Sequence, residues 1–408
     1  MIESRKRVCG SATVPAMSPA RFISDELGQL DALGLRRRMR AIDGAQDRVV
    51  LVDGTRVVSF SSNNYLGLAN HPALRDAAST ALSDGTGAGA SRLIVGNMRA
   101  HRELEQCLAR FFDAPSALVF NSGYQANLGV LQALAGRGDE IFSDALNHAS
   151  IIDGCRLSRA AVTVYPHGDV DALARGLSAS TARRRIVVSD SVFSMDGDIA
   201  PVADIGALAA AHDAVWILDE AHAVGALGPG GRGIAAAAGV RPDVVVGTLG
   251  KAFGSFGAFA LAERPVIELL INRARSFVFT TALPPPVVAA STAALQHLGS
   301  TKGKQLRRKL RRNIERLRAG LAKLAICQQH PGITPIFPVH IGDDREAMAC
   351  ADALLARGVY AQGIRPPTVP AGTARLRIAL MATHTAEDIE LLLAGLGELV
   401  AAGKVPTA

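Results

Sequence analysis

Cysteine is scarce and unpaired in this 408-residue chain: Cys9, Cys107, Cys155, Cys327 and Cys350 are odd in number, scattered, and form no C-x-x-C pair. That argues against a disulfide framework and against a thiolate metal site, and it predicts a reducing, cytoplasmic setting. Aromatic residues make up 4% of the chain, with a single Trp. Its basic residues are therefore not interleaved with stacking rings, and without a zinc ligand set or a reading helix no nucleic-acid partner is expected. No G-x-x-x-x-G-K-[ST] loop occurs, which removes the NTPase reading of Asp219-Glu220-Ala221-His222 although those residues spell DEAH. No apolar h-region follows Arg5-Lys6-Arg7, so no secretory signal is expected. The stretch Ser276 to Thr301 lacks charged side chains but contains Pro284-Pro285-Pro286 and several hydroxyl residues. Its broken backbone would lack partners in lipid, so no membrane span is expected.

What is present suits a folded globular protein. Hydrophobic residues make up 49% and charged residues 20%, and the 40 glycines follow no repeat, which fits two or three structural units. The formal charge of +7 is uneven, with a dense basic stretch from Lys302 to Lys323. Leucine and isoleucine recur in it at helical spacing, so it reads as a helix with a solvated basic face. The same charge would suit an anionic partner, such as an acidic acyl carrier or a phosphorylated thioester.

Between about residues 115 and 262, short apolar runs alternate with helical patterns, as a doubly wound sheet requires. Seven strands are predicted: Ala117–Asn121, Glu140–Ser143, Val162–Tyr165, Arg185–Ser189, Ala214–Asp219, Val244–Thr248 and Ala258–Ala262. Covering helices such as Ala203–His212 lie between them. After residue 290 come edge-strand patterns over Ile333–Ile341, a helix near Glu346–Arg357, a strand Arg375–Ala379 and a helix Ala386–Leu399, which together predict a smaller α+β domain. The first 60 residues are read as an N-terminal arm with a basic helical segment, Leu35–Arg40, and a strand pair, Arg48–Leu51 and Arg56–Phe60. The expected division is 1–60, 61–290 and 291–408.

Polar residues gather where the predicted strands end. Ser122-Gly123-Tyr124 follows the first strand, Asp144 and His148 the second, Asp190 to Ser194 the fourth, Asp219 and His222 the fifth, and Thr248 and Lys251 the sixth. Open α/β sheets bind ligands at the carboxyl ends of their strands, so these groups face one rim. Taken singly, His148 reads as a loop histidine, Ser194 as a turn residue and Asp219 as a helix cap; five coincident strand ends do not. A lysine kept near neutral by its surroundings forms a Schiff base with an aldehyde cofactor, and an aspartate can keep a pyridine nitrogen protonated, making the ring an electron sink. Lys251 and Asp219 therefore suggest pyridoxal phosphate. Gly123 and Tyr124 open a predicted helix whose free N–H groups suit a phosphate. His148 could stack on the pyridine ring, and His222 could reach its phenolic oxygen. The run Gly85 to Arg92 (GTGAGASR) has no strand before it and no acidic partner after it, and is read as a loop lining the site.

Taken in order, Ser61 to Leu68 (SSNNYLGL), GTGAGASR, Asn147 to Ser150, Val192 to Asp198 (VFSMDGD), Asp219 to His222 and Thr248 to Lys251 resemble the α-oxoamine synthases. The resemblance runs from about residue 30 to 400. It implies an α/β, aspartate-aminotransferase-like fold type I with a seven-stranded, mostly parallel sheet, a homodimer, and a decarboxylating condensation of an amino acid with an acyl thioester. The motif Ile364 to Pro370 with Arg375-Leu376-Arg377 is most similar to the biotin-pathway branch, which implies L-alanine and a pimeloyl thioester carried on coenzyme A or an acyl carrier protein. The alternatives are a relative using glycine or serine with another acyl group, and a non-catalytic binding protein on the same fold. Residue by residue, the resemblance implies catalytic roles for Lys251, His148, Asp219 and His222. It places Ser194 with His222 at the phenolic oxygen, and Gly123, Tyr124 and Thr248 at the phosphate, with Thr280 or Thr281 arriving from a neighbouring subunit. It puts Arg36, Asn63, His148, Arg365 and Thr368 at the substrate. The residues before about Ala20 match no part of it.

Overall fold

The computed structural model describes residues 19–326 and 330–407. Cys9, Cys327 and Arg5-Lys6-Arg7 lie outside that range. A first small sheet contains β1 (Ile42–Asp43), β2 (Val49–Val52) and β3 (Thr55–Ser59). The central sheet comprises β4 (Ser116–Phe120), β5 (Glu140–Asp144), β6 (Ala161–Tyr165), β7 (Arg185–Asp190), β8 (Val215–Asp219), β9 (Val244–Thr248) and β10 (Ala258–Ala262). Toward the C-terminus follow β11 (Ile336–Gly342), β12 (Val359–Tyr360), β13 (Gln362–Ile364) and β14 (Ala374–Ala379).

All seven strands expected of the central sheet are present, in the order β4-β10-β9-β8-β7-β5-β6. Only β10 runs antiparallel, to both β4 and β9. Side chains alternate across a strand, and the two faces separate accordingly. Ile186, Val188, Ile217, Val244, Val246 and Ala260 pack on one side with residues of helices Gly123–Leu134 and Arg264–Arg273. Val187, Trp216, Leu218, Phe259 and Leu261 face the other, with helices Arg99–Phe112, Val202–Ala211 and Pro285–Gly299. Each such aliphatic side chain removed from water contributes about 1.5–3 kcal/mol, which is why strands buried on both faces read as continuous apolar runs.

The C-terminal strands form a three-stranded antiparallel sheet, β11-β14-β13, in which β11 is an edge, as its proline suggested. Helix Asp344–Ala356 and helix Ala386–Ala401 lie where the sequence placed them. The N-terminal strand pair is not isolated: β3 pairs in parallel with β12, so the small sheet is shared by the two ends of the chain.

One expectation is overturned. Leu35–Arg40 is not helical; the helix is Pro19–Ala32, and a turn and then chain without regular secondary structure follow. Leu35 and Arg36 N–H groups both bond to the Leu30 carbonyl, closing the helix at Gly34 with φ +69°. Beyond it the arginines find tertiary partners, Arg37 at Thr368 and Arg40 at Asp53 and Asp352. The basic segment Thr301–Lys323 is one helix, burying Leu310, Ile314, Leu317 and Leu321 and exposing its cations except the half-buried Arg307, which donates to the Leu298 carbonyl. No helix among the described residues is long and apolar enough to cross a membrane, and no cluster of three or more His, Cys, Asp or Glu among them is placed to hold a metal ion.

Candidate active site

Parallel pairing puts the ends of β5, β7, β8 and β9 side by side, with Asp190 in register with Asp219 on the neighbouring strand. Lys251 stands on a loop closed by Leu249 N–H to the Gly257 carbonyl at 2.9 Å and Gly254 N–H to the Lys251 carbonyl at 2.9 Å. Gly254 has φ +65°, and a Cβ there would lie 2.4 Å from the backbone of Leu68 and Ala69. Only glycine lets the lysine loop sit this close to the SSNNYLGL segment.

Lys251 Nζ lies 2.8 Å from His222 Nε2, and His222 Nδ1 lies 2.7 Å from the Tyr65 hydroxyl. Tyr65 donates to Asn63 Oδ1 at 3.1 Å, and Arg377 donates to the same oxygen at 3.0 Å. Burial lowers the Lys251 amine to about 8 against the pull of Asp219 and Asp190 in the other direction. Losing solvent penalises the charged form more than two nearby carboxylates restore it. His222 is held well below the usual histidine range by burial and by the positive charges of Lys251 and Arg377, so its ring is neutral.

Asp219 is buried and accepts from Asn127 Nδ2 at 2.7 Å and from the Ala221 N–H at 2.8 Å. Asn127 also donates to Ser150 Oγ at 2.9 Å, and Ser150 Oγ lies 2.8 Å from His148 Nδ1. His148 caps helix Ala149–Ser158, and its own N–H donates to Asp190 Oδ2 at 2.7 Å. Burial lowers the His148 pKa, with Asp219 opposing and Lys251 assisting. Asp190, buried beside Asp219, is raised well above the carboxylate range by desolvation and by its neighbour's charge. In DEAH, the Glu220 side chain turns away: it accepts from Ser191 and from the N–H groups of Ile234 and Ala235.

The remaining sequence-identified residues fall into two groups. Ser122 caps helix Gly123–Leu134 by accepting from Gln125 N–H at 3.2 Å, and a Cβ at Gly123 would meet nothing within 4 Å. The helix start is therefore uncrowded beside Gly123, leaving room for a ligand at its free N–H groups. Tyr124 is exposed and its hydroxyl donates to Asp153. Thr248 Oγ1 donates to the Gly257 carbonyl and accepts from Gly250 N–H, both at 3.1 Å. Thr280 Oγ1 and the Thr281 carbonyl both accept from Asn121 of the same chain, at 3.2 and 2.7 Å, so these threonines lie beside their own chain's helix start. The GTGAGASR run is a loop, and its Ser91 bridges Thr281. The Ser194 carbonyl accepts from Arg377 Nε at 2.5 Å.

The second group lies apart from Lys251. Arg36 donates to Asp31 at 2.5 Å, its carbonyl accepts from Arg365 at 2.9 Å, and Thr368 accepts from Arg37 at 3.0 Å. Among the described residues no hydrogen bond joins this patch to the lysine cluster, whereas Asn63 is inside that cluster.

Tyr65, Asn127 and Arg377 were not picked out as site residues from sequence, and Asp190 only as one of the polar groups at the rim. Arg375 and Arg377 carried a signal: two arginines at i and i+2 of an apolar strand share one face, and both are buried. A buried arginine must be paired, here with Asp196 and with Asn63 and the Ser194 carbonyl. Asn127, in the middle of a helix, gave no such signal.

An amine near neutral, a buried carboxylate, a neutral imidazole and an open helix N-terminus are what an aldehyde, a pyridine nitrogen, a phenolic oxygen and a phosphate would require. The residues present therefore fit pyridoxal phosphate. A family model described as aminotransferase class I and II matches residues 55–396. The chain belongs to that family, and within it to the α-oxoamine synthases that its motifs resemble. A Geobacter metallireducens protein named 8-amino-7-oxononanoate synthase is 50% identical over 386 residues, covering 93% of this chain and 98% of the relative. One of the same name from Burkholderia thailandensis is 52% identical over 377 residues, covering 91% and 95%. A solved serine palmitoyltransferase with pyridoxal phosphate superposes with a TM-score of 0.88 at 33% identity, covering 94% of this chain and 98% of the other.

Proposed function

We propose that this protein joins L-alanine to a pimeloyl thioester with loss of carbon dioxide and release of the thiol, giving 8-amino-7-oxononanoate, with pyridoxal phosphate as cofactor. The observation that carries the chemistry is the convergence of Lys251, His222 and Asp219 on one rim of the sheet. The choice of substrates rests on the 50% identity to proteins of that name over nearly the whole chain. When bound, the cofactor supplies an electron sink for charge developing at the amino acid's α-carbon. Lys251 is the residue that would hold its aldehyde carbon, and its free amine would move the α-proton on Nζ; an amine lowered to about 8 is suited to both tasks. Asp219 holds the pyridine nitrogen protonated, oriented for it by Asn127 and the Ala221 N–H. His222 and Ser194 would serve the phenolic oxygen, and His148 would stack on the ring. Gly123, Tyr124 and Thr248 hold the phosphate, with Thr280 and Thr281 beside them. Asn63, Arg36, Arg365 and Thr368 receive substrate carboxylate or acyl groups. The working unit is a homodimer, and the proposed division is an arm to residue 60, a cofactor-binding domain to 290 and a smaller domain beyond.

Thiol release measured over a grid of alanine, glycine and serine against acetyl, pimeloyl and palmitoyl thioesters tests the reading. Alanine with pimeloyl is expected to lead. The structural likeness to serine palmitoyltransferase makes serine with palmitoyl the second reading, and a maximum there would replace the first. Cofactor capture by the apoprotein gives an independent check. Only the free Lys251 amine attacks an aldehyde, so the capture rate is expected to climb roughly tenfold per pH unit below about 8 and level off above it. A rate that stays flat from pH 6 to 9 would remove Lys251 as the attaching amine.

A further inference from the structure

His167 follows β6, the edge strand of the central sheet, and no role has been given to it above. Its Nδ1 lies 3.0 Å from Asp144 Oδ1, and its Nε2 lies 2.7 Å from Asp198 Oδ2. Its ring meets the buried Phe193 edge to face, with centroids 4.3 Å apart. Asp144 ends β5 and also accepts from the Leu146 and Gly168 N–H groups, so it braces the turn that leads to His148. Asp198 closes the loop that carries Ser194, and its other carboxylate oxygen is buried without a partner. That loop is held from the C-terminal side by Arg375 at Asp196, by Arg377 at the Ser194 carbonyl and by Thr334 Oγ at the Gly197 carbonyl. On the side of the central sheet, His167 ties Asp198 to the end of β5, while Ser191 Oγ at the start of the loop donates to Glu220 beyond β8.

We propose that His167 is a positioning residue which, by binding Asp144 and Asp198 at once, fixes the Ser194 loop against the His148 loop. The proposal rests on the cofactor site described above, because Ser194 and His148 are the two groups it aligns. Both ring nitrogens face carboxylates, so the imidazolium form satisfies both contacts as a donor. The charged groups around it are Asp144 from β5 and Asp198 from the loop; the titratable His330 beyond Asp198 is lowered to about 4 by burial and is neutral here. The hydrogen bonds to the two carboxylates raise its pKa to about 10 from 6.5, and partial burial only partly opposes them. The stabilisation from this cation is complete below about pH 6.5 and disappears as pH passes about 10, so the clamp is intact at neutral pH.

The test compares the holoenzyme with His167→Gln, Asp198→Asn and the double variant. Three quantities are read: the dissociation constant for pyridoxal phosphate, the pH dependence of the bound cofactor's visible absorbance, and the melting temperature. Each single change is expected to weaken cofactor binding about tenfold and shift the absorbance titration, and the double variant to be no worse than either single one. Unchanged affinity and absorbance in both single variants would overturn the proposal. So would losses that add in the double variant, or losses that follow melting temperature alone. Should His167→Gln fail to fold, Asp198→Asn carries the same prediction from the other end of the contact. Failure of the wild type to bind the cofactor would instead count against the function proposed above.

Discussion

Lys251→Ala is expected to lower thiol release by about 10²–10⁴-fold while leaving the fold intact, since a positioned proton-transfer group contributes that much to a rate. The larger end is favoured because the same amine attaches the cofactor and moves the α-proton. Its neighbours are set for this: His222 is neutral and 2.8 Å away, and the two buried carboxylates keep the amine from falling below about 8. Borohydride reduction followed by peptide mass analysis provides the structural half of the measurement. The wild type is expected to carry the cofactor on the Lys251 peptide and the variant to carry none. Turnover by Lys251→Ala at the wild-type rate would end the scheme.

Asp219→Asn is expected to slow exchange of the alanine α-proton by about 10–10³-fold. An opposite charge within about 4–6 Å favours a charged group by roughly 1–3 pKa units, each worth about 1.4 kcal/mol, and here the group favoured is the protonated pyridine nitrogen. The substitution keeps an oxygen for the Ala221 N–H but removes the charge and sets an amide nitrogen against Asn127 Nδ2, so the melting temperature is read beside the exchange rate to separate electrostatics from folding. Proton exchange followed by NMR with no thioester present isolates this step. Exchange at the wild-type rate would mean that the carboxylate serves only the Asn127 and Ala221 contacts.

Much of this site was legible because it lies at strand ends, and strand ends are local facts. The runs ending at Asp219 and Thr248 are apolar enough to be buried on both faces, so the first polar groups after them must emerge at the rim. His148, Ser122 and Gly123 were legible for the same reason. Tyr65 and Arg377 were not. Tyr65 reaches His222 across 157 positions of sequence and Arg377 reaches Asn63 across 314, and no periodicity encodes such a meeting. Arg36 to Arg40 failed in the opposite sense. The stretch has helix-forming residues, but its side chains are drawn to Asp31, Thr368, Asp53 and Asp352, and tertiary contacts outweigh a local preference worth only tenths of a kcal/mol per residue.

By itself the sequence determined the central sheet, the strands that end in chemistry and the lysine on which it turns. These follow from hydrophobic periodicity and from the chemistry of single side chains, both written locally. Only the tertiary structure decided which groups touch that lysine, that the two ends of the chain share one sheet through β3 and β12, and that His167 bridges two loops. Those outcomes depend on packing between distant segments, where a contact forms because burial brings the partners together rather than because either neighbourhood specifies it.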